Sequence, residues 1–205
     1  MEKKGRTYIE MVGVMLVLQL LLNGWEVAIG NLFSVGEPFE RKMVTMVGML
    51  LLTALTLLLS RQRKTDLSLC PRKMDGVSRS VILLSVAMLL STVLCFTKGT
   101  HGLLLLCYGS LVTPLFEELL FRGHLFNLQE RIHAEPYQVV LLNALLFSVW
   151  HIGYIVQPLM NGEWMALSKL VIALFYGLLL ATIRWRTKST LCSFLAHGAL
   201  NACLG

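Results

Sequence analysis

Windows of about 20 apolar residues recur along this chain with only short polar joints between them, and no other feature narrows its folding options so far. Hydrocarbon offers the backbone no hydrogen-bonding partner, so such a segment either closes its own bonds as a helix or joins a closed barrel. Barrel strands would be stretches of roughly 10 residues alternating with polar lumen positions. These runs are instead uninterrupted leucine, valine, methionine and alanine. The expected fold is all-α, a polytopic transmembrane helical bundle of about seven spans. Hydrophobic residues are 56% of the 205 and charged residues only 15%, which leaves no stretch for a separate soluble domain.

The first run covers about residues 9–33. It is too long for a signal-peptide core and lacks a small-x-small cleavage pattern, so it reads as retained. Later spans are expected at about 43–59, 81–96, from 103 onward, 137–152, 166–185 and 189–204. Residues 1–102 then form three N-terminal helices with a basic loop at 61–79, and 103–205 form the core that carries the chemistry. Glu26, beside Asn23 and Trp25, reads as an interfacial residue. Arg61, Arg63, Lys64, Arg72, Lys73 and Arg79 have no interleaved aromatics and join two spans, so they set topology and bind no nucleic acid. With the N-terminal tail placed in the cytoplasm, 14 of the 18 Lys and Arg collect on that side, and Arg41, Lys42, Lys98 and Lys169 remain outside. This asymmetry accounts for the net charge of +6 without a polyanionic partner. Cys70, Cys95, Cys107, Cys192 and Cys203 form no CxxC pair and suggest neither a disulfide framework nor a thiolate metal site. Ala173, Gly177 and Ala181 repeat every four residues and read as a helix-packing stripe.

A carboxylate at membrane depth is costly and marks a functional site by default, and here Glu117 and Glu118 stand side by side. Neighbours on a helix diverge by about 100°, so the two cannot face one partner, whereas Glu118 and Arg122 share a face. Arg122 neutralises Glu118, and Glu117 is left as the candidate general base. Pro114 removes a helix hydrogen bond just upstream and is expected to open or kink the segment. Phe147 with His151, and His197 with Asn201, are each four apart on later spans and supply partners for the base. Counted at 1.5 Å per residue, Glu117 and His151 lie roughly 21 Å from their cytoplasmic helix ends and His197 about 13 Å from its own, depths compatible with one cavity reached from the cytoplasm. His124 is a possible auxiliary, though packing is the better reading for it and for His101 and His133. No HExxH is present, and the only aspartates, Asp66 and Asp75, lie in the basic loop, so site-2 zinc and aspartyl protease classes are excluded.

At these residues the chain resembles the CPBP, or Abi, group of intramembrane proteases, which includes the type II CAAX prenyl endopeptidases and bacterial proteins linked to bacteriocin maturation and immunity. The group's EExxxR motif is matched by Glu117, Glu118 and Arg122, continuing in Gly123 and Leu125; FxxxH is matched by Phe147 and His151, and HxxxN by His197 and Asn201. The resemblance covers about residues 103–204 and implies peptide hydrolysis within the membrane. It implies that Glu117 and His151 activate water while His197 and Asn201 stabilise the oxyanion. An older reading of the group places a divalent metal, usually zinc, on the glutamates and histidines, here Glu117, His151 and His197, and the residue types alone leave both mechanisms open. Metal-independent chemistry is preferred, because Asn201 is a good oxyanion donor and a poor zinc ligand. Expected partners are membrane lipid and a peptide or small-protein substrate. The expected setting is a bacterial plasma membrane, where a leader peptide, pheromone precursor or bacteriocin fits better than a prenylated CAAX protein. The competing reading is a non-proteolytic immunity or regulatory protein that uses the same polar cavity for binding. A transporter is disfavoured, since no inverted repeat or interrupted helix pair is visible.

Overall fold

Short joints between long apolar helices make sequence neighbours run antiparallel, and the computed structural model, which describes residues 2–204 with side chains from Lys4 onward, is built on that rule. Its helices are α1 (Glu2–Leu32), α2 (Pro38–Gln62), α3 (Gly76–Leu94), α4 (Gly99–Glu130), α5 (Pro136–Trp150), α6 (Ile152–Met160), α7 (Ser168–Thr187) and α8 (Thr190–Leu204). No strand occurs among the described residues. Six segments are long and apolar enough to cross a membrane, α5 and α6 counting as one, and α8 is a shorter apolar helix of 15 residues. The protein is an integral membrane protein with an all-helical bundle fold.

The joints fall alternately on two faces. The N-terminal tail and joints 63–75, 131–135 and 188–189 share one face, here called the tail face; joints 33–37, 95–98 and 161–163 and the end of α8 share the opposite one. Pro38 begins α2, where a missing N–H costs nothing. Asp75 caps α3 by accepting a hydrogen bond from the Ser78 N–H at 2.8 Å. The 63–75 joint is ordered as well as basic. The Thr190 and Leu191 N–H groups, unpartnered within the first turn of α8, donate to the carbonyls of Ser68 and Leu69 at 2.8 and 2.9 Å. The Thr190 hydroxyl donates to Leu67 O.

Two boundaries differ from the sequence expectation. The polar joint expected from Tyr154 to Trp164 is helical through Met160, although Pro158 inside α6 has no N–H to give to the turn before it. The break falls instead at His151, where Tyr154 N–H donates to His151 O and His151 N–H to Ser148 O, each only three residues back. Glu26 accepts the Thr45 hydroxyl at 2.7 Å where α1 meets α2. The Ala173, Gly177 and Ala181 stripe is buried, and a Cβ on Gly177 would stand 2.9 Å from the Ala144 Cα, so α5 and α7 touch backbone to backbone there.

Candidate active site

The site is assembled on α4, which contains two π-helical turns, Tyr108–Val112 and Leu119–Leu125, on either side of the glutamates. Wide turns of this kind are frequent at functional sites. The first has a cause in the sequence. Pro114 has no N–H to give to the carbonyls of the turn before it, and α8 docks onto those carbonyls: Asn201 Nδ2 donates to Gly109 O at 2.9 Å, and Gly198, lacking a Cβ, lies against Ser110 O. The second turn is held by polar side chains from three sources. Asn143 of α5 donates to Phe121 O at 2.8 Å, Arg184 of α7 donates to Arg122 O at 3.0 Å, and Asn127 of α4 itself donates to Gly123 O at 2.5 Å.

Glu117 and Glu118 point to different surroundings, as their 100° separation demands. Glu118 is fully buried, and its Oε1 accepts from Arg122 Nη1 at 3.1 Å and from His197 Nδ1 at 2.9 Å. Arg122 also reaches Gly177 O at 3.3 Å and lies over the Phe147 ring, 4.3 Å from its centroid. Glu117 instead lines a cavity of about 580 Å³ together with His151, His197 and Asn201. Its Oε2 is 3.8 Å from His197 Nε2. His197 therefore stands between the two carboxylates, one on each ring nitrogen.

The ring orientations follow from what each partner can accept. His151 Nδ1 lies 2.8 Å from Phe147 O, and a carbonyl only accepts, so Nδ1 carries the hydrogen and Nε2 of the neutral ring keeps its lone pair. The F and H of the second motif are thus joined through the backbone of one and the ring of the other. Phe147 also meets the His197 ring edge-on at 5.9 Å. The other histidines lie elsewhere: His124 is buried against the Ser60 hydroxyl at 3.0 Å, His133 bonds to Tyr8, and His101 stacks on Phe39.

The cavity opens at the face opposite the tail. Lys42 near the start of α2 and Lys169 near the start of α7 stand at its mouth, both exposed. Towards the tail face the route is shut, since every residue from Phe116 to Phe126 is buried and Leu67 packs over Gly123. The expected cavity reached from the tail side is therefore turned over. Counting depth from helix ends located the residues but could not reveal which end was plugged.

Residues 99–203 match the family described as Type II CAAX prenyl endopeptidase Rce1-like. The chain belongs to this family. All three motifs of the Rce1-like protein lie inside the matched segment, and the family makes it a membrane-embedded endopeptidase of the CAAX type. Comparison with curated proteins and with solved structures gives no match.

Zinc was the one cofactor open from sequence, on Glu117, His151 and His197. Among the described residues no three His, Cys, Asp or Glu side chains gather closely enough to hold an ion. His197 shares Nδ1 with Glu118 and His151 gives Nδ1 to a carbonyl, which leaves Nε2 of each ring for the cavity, an arrangement that suits a metal-ligating histidine as well as a hydrogen-bonding one. Sequence reasoning missed Tyr108, Tyr154 and Tyr176 on the cavity wall and the buried Asn143 and Arg184 behind it. Tyr154 was within reach, three residues after His151 and on its face, its ring 5.8 Å from the imidazole. Arg184 looked like one more cation of a basic joint, but it is 1% exposed and holds α4.

Proposed function

We propose that this Rce1-like protein hydrolyses a peptide bond of a membrane-associated peptide or precursor, with Glu117 as general base. The observation that carries this reading is the convergence of Glu117, His151, His197 and Asn201 on one cavity, while Glu118 and Arg122 stay behind its wall. In the proposed reaction, water sits between Glu117 and His151. His151 Nε2 accepts a hydrogen bond from it and orients its lone pair, and Glu117 removes the other proton as the oxygen attacks the substrate carbonyl carbon. The carbonyl oxygen becomes an oxyanion. Asn201 has spent one amide hydrogen on Gly109 O and has a second to offer, and His197 Nε2–H is the other donor. With Nδ1–H given to Glu118, a protonated Nε2 makes His197 a cation, and the charges of Glu117, Glu118, Arg122 and His197 then sum to zero, which suits an apolar surrounding. Collapse of the intermediate breaks the C–N bond, and Glu117 returns its proton to the leaving amine.

No metal enters these steps. Donors placed at a developing oxyanion are each worth about 10²–10³ in rate, and a positioned base about 10²–10⁴. The test is cleavage of a membrane-delivered reporter peptide by the purified protein in nanodiscs. Glu117→Gln and His151→Ala should each abolish cleavage with thermal unfolding unchanged, and cleavage by the native chain should persist in chelator. Wild-type cleavage in both variants would remove the proposed site. Loss in chelator, restored by zinc, would replace the metal-free chemistry.

A further inference from the structure

We infer that the groove between α1 and α2 at the tail face binds one anionic phospholipid, its phosphate on Arg6 and Arg63 and one acyl chain laid along the groove. Both walls are written at helical spacing. On α1, Arg6, Glu10, Gly13 and Val17 follow at steps of four, three and four, and on α2, Leu55, Leu59 and Arg63 follow at steps of four, so each set forms one straight stripe. The two stripes line a cavity of about 500 Å³. Each carries an arginine at its tail-face end, and beyond Glu10 the walls are wholly apolar. Gly13 keeps the groove open at its middle, since a Cβ there would meet nothing within 4 Å.

Length and charge together name the occupant. Arg6 and Val17 stand about 17 Å apart along the axis of α1, against about 15 Å for the hydrocarbon of one leaflet. A groove that begins at arginines and ends at valine over that distance has the dimensions of one acyl chain below its headgroup. Charge then selects the headgroup. Glu10 accepts from Arg63 Nη1 at 3.2 Å, which orients the guanidinium and leaves its remaining N–H groups for another acceptor. Arg6 has no carboxylate partner among the described residues. Two guanidinium forks, whose geometry matches phosphate oxygens, and one carboxylate leave a net charge of +1 at the polar end. The single negative charge of an anionic phospholipid neutralises it. A zwitterionic lipid brings its own cation and does not.

Native mass spectrometry of the full chain, delipidated in detergent and titrated with phosphatidylglycerol or phosphatidylcholine, reads the site without any cleavage. One phosphatidylglycerol should be retained about fivefold more tightly than phosphatidylcholine, the preference that one uncompensated cation gives an anionic lipid. Arg6→Gln breaks no ion pair and lies on the exposed start of α1, so the variant keeps the fold and should lose the preference. Gly13→Leu fills the groove and should no longer retain either lipid, with thermal unfolding before lipid addition unchanged. Inorganic phosphate, which has no chain to lay along the walls, should not displace the bound lipid. Equal retention of the two lipids, a preference that survives in both Arg6→Gln and Arg63→Gln, a lipid still held by Gly13→Leu, or displacement by inorganic phosphate overturns the inference.

Discussion

Gly198→Ala should inactivate the enzyme with little loss of stability, and the reason lies in what its new methyl would meet. A Cβ at Gly198 falls closer than 3.0 Å to the carbonyl oxygen of Ser110, a backbone atom in the first π turn of α4 that cannot swing aside. Restoring ordinary contact requires α8 to retreat by about 1 Å. Overpacking of this kind costs about 1–3 kcal/mol, but replacing a helical glycine by alanine returns about 0.5–1 kcal/mol. The net loss of about 0–2.5 kcal/mol makes unfolding a weak discriminator. Activity is the sharper one, because a displacement of about 1 Å at a reacting group costs about 10²-fold. The residue before the glycine is His197, and Asn201 one turn later bonds to Gly109 O at 2.9 Å, so both move with the helix. The control lies on the facing helix. A Cβ on Gly109 meets nothing within 4 Å, and Gly109→Ala should keep both activity and stability. Turnover of a reporter peptide in nanodiscs decides it: Gly198→Ala within twofold of wild type, or Gly109→Ala equally damaged, would refute the reasoning.

Glu118→Gln should be the more damaging change to the fold, since it leaves Arg122 charged, buried and without its counter-ion, a loss of about 3–5 kcal/mol in unfolding measurements. The double variant Glu118→Leu/Arg122→Met should be more stable than either single variant, and additive losses would show that the pair is not coupled. On the tail face, the hydrogen bond from the Ser78 N–H holds the Asp75 carboxyl below its ordinary 3.8. A depressed pKa means that the ionised form stabilises the fold: the contribution is complete above the unfolded value near 3.8 and disappears as pH falls through the folded one. Asp75→Ala should therefore lower the melting temperature at pH 7 and cease to matter in strong acid, and an equal deficit at both pH values would remove the cap from the explanation.

The spans and the order of the site were legible because both are written at helical spacing. Apolar runs announced the helices, and residues four apart, Glu118 with Arg122, Phe147 with His151, His197 with Asn201, announced shared faces. What escaped the sequence was decided between helices. Nothing in the local pattern says that Asn143 will reach Phe121 O or that Arg184 will turn inward, because each answers a carbonyl on a different helix. The break at His151 was hidden for a similar reason: the run around it is apolar on both sides, and Pro158, the visible breaker, lies inside the helix that follows. The mouth of the cavity was hidden too, since a count of residues from a helix end is blind to packing.

The pairing of His197 with both carboxylates changes what the acidic doublet is for. A buried ion pair such as Glu118–Arg122 is poor evidence for stability, because desolvation offsets much of its attraction. Here Glu118 spends one oxygen, Oε1, on two partners, and the second of them is the ring that faces Glu117. Arg122 therefore holds Glu118 in place, Glu118 takes Nδ1 of His197, and Nε2 is aimed at the cavity. In the proposed reaction Glu118 and Arg122 act through His197 as positioning residues, much as a carboxylate orients a histidine in other hydrolytic sites. Adjacent glutamates on one helix are what the proposed reaction needs: one step of 100° separates Glu117, which lines the cavity, from Glu118, which is buried behind its wall.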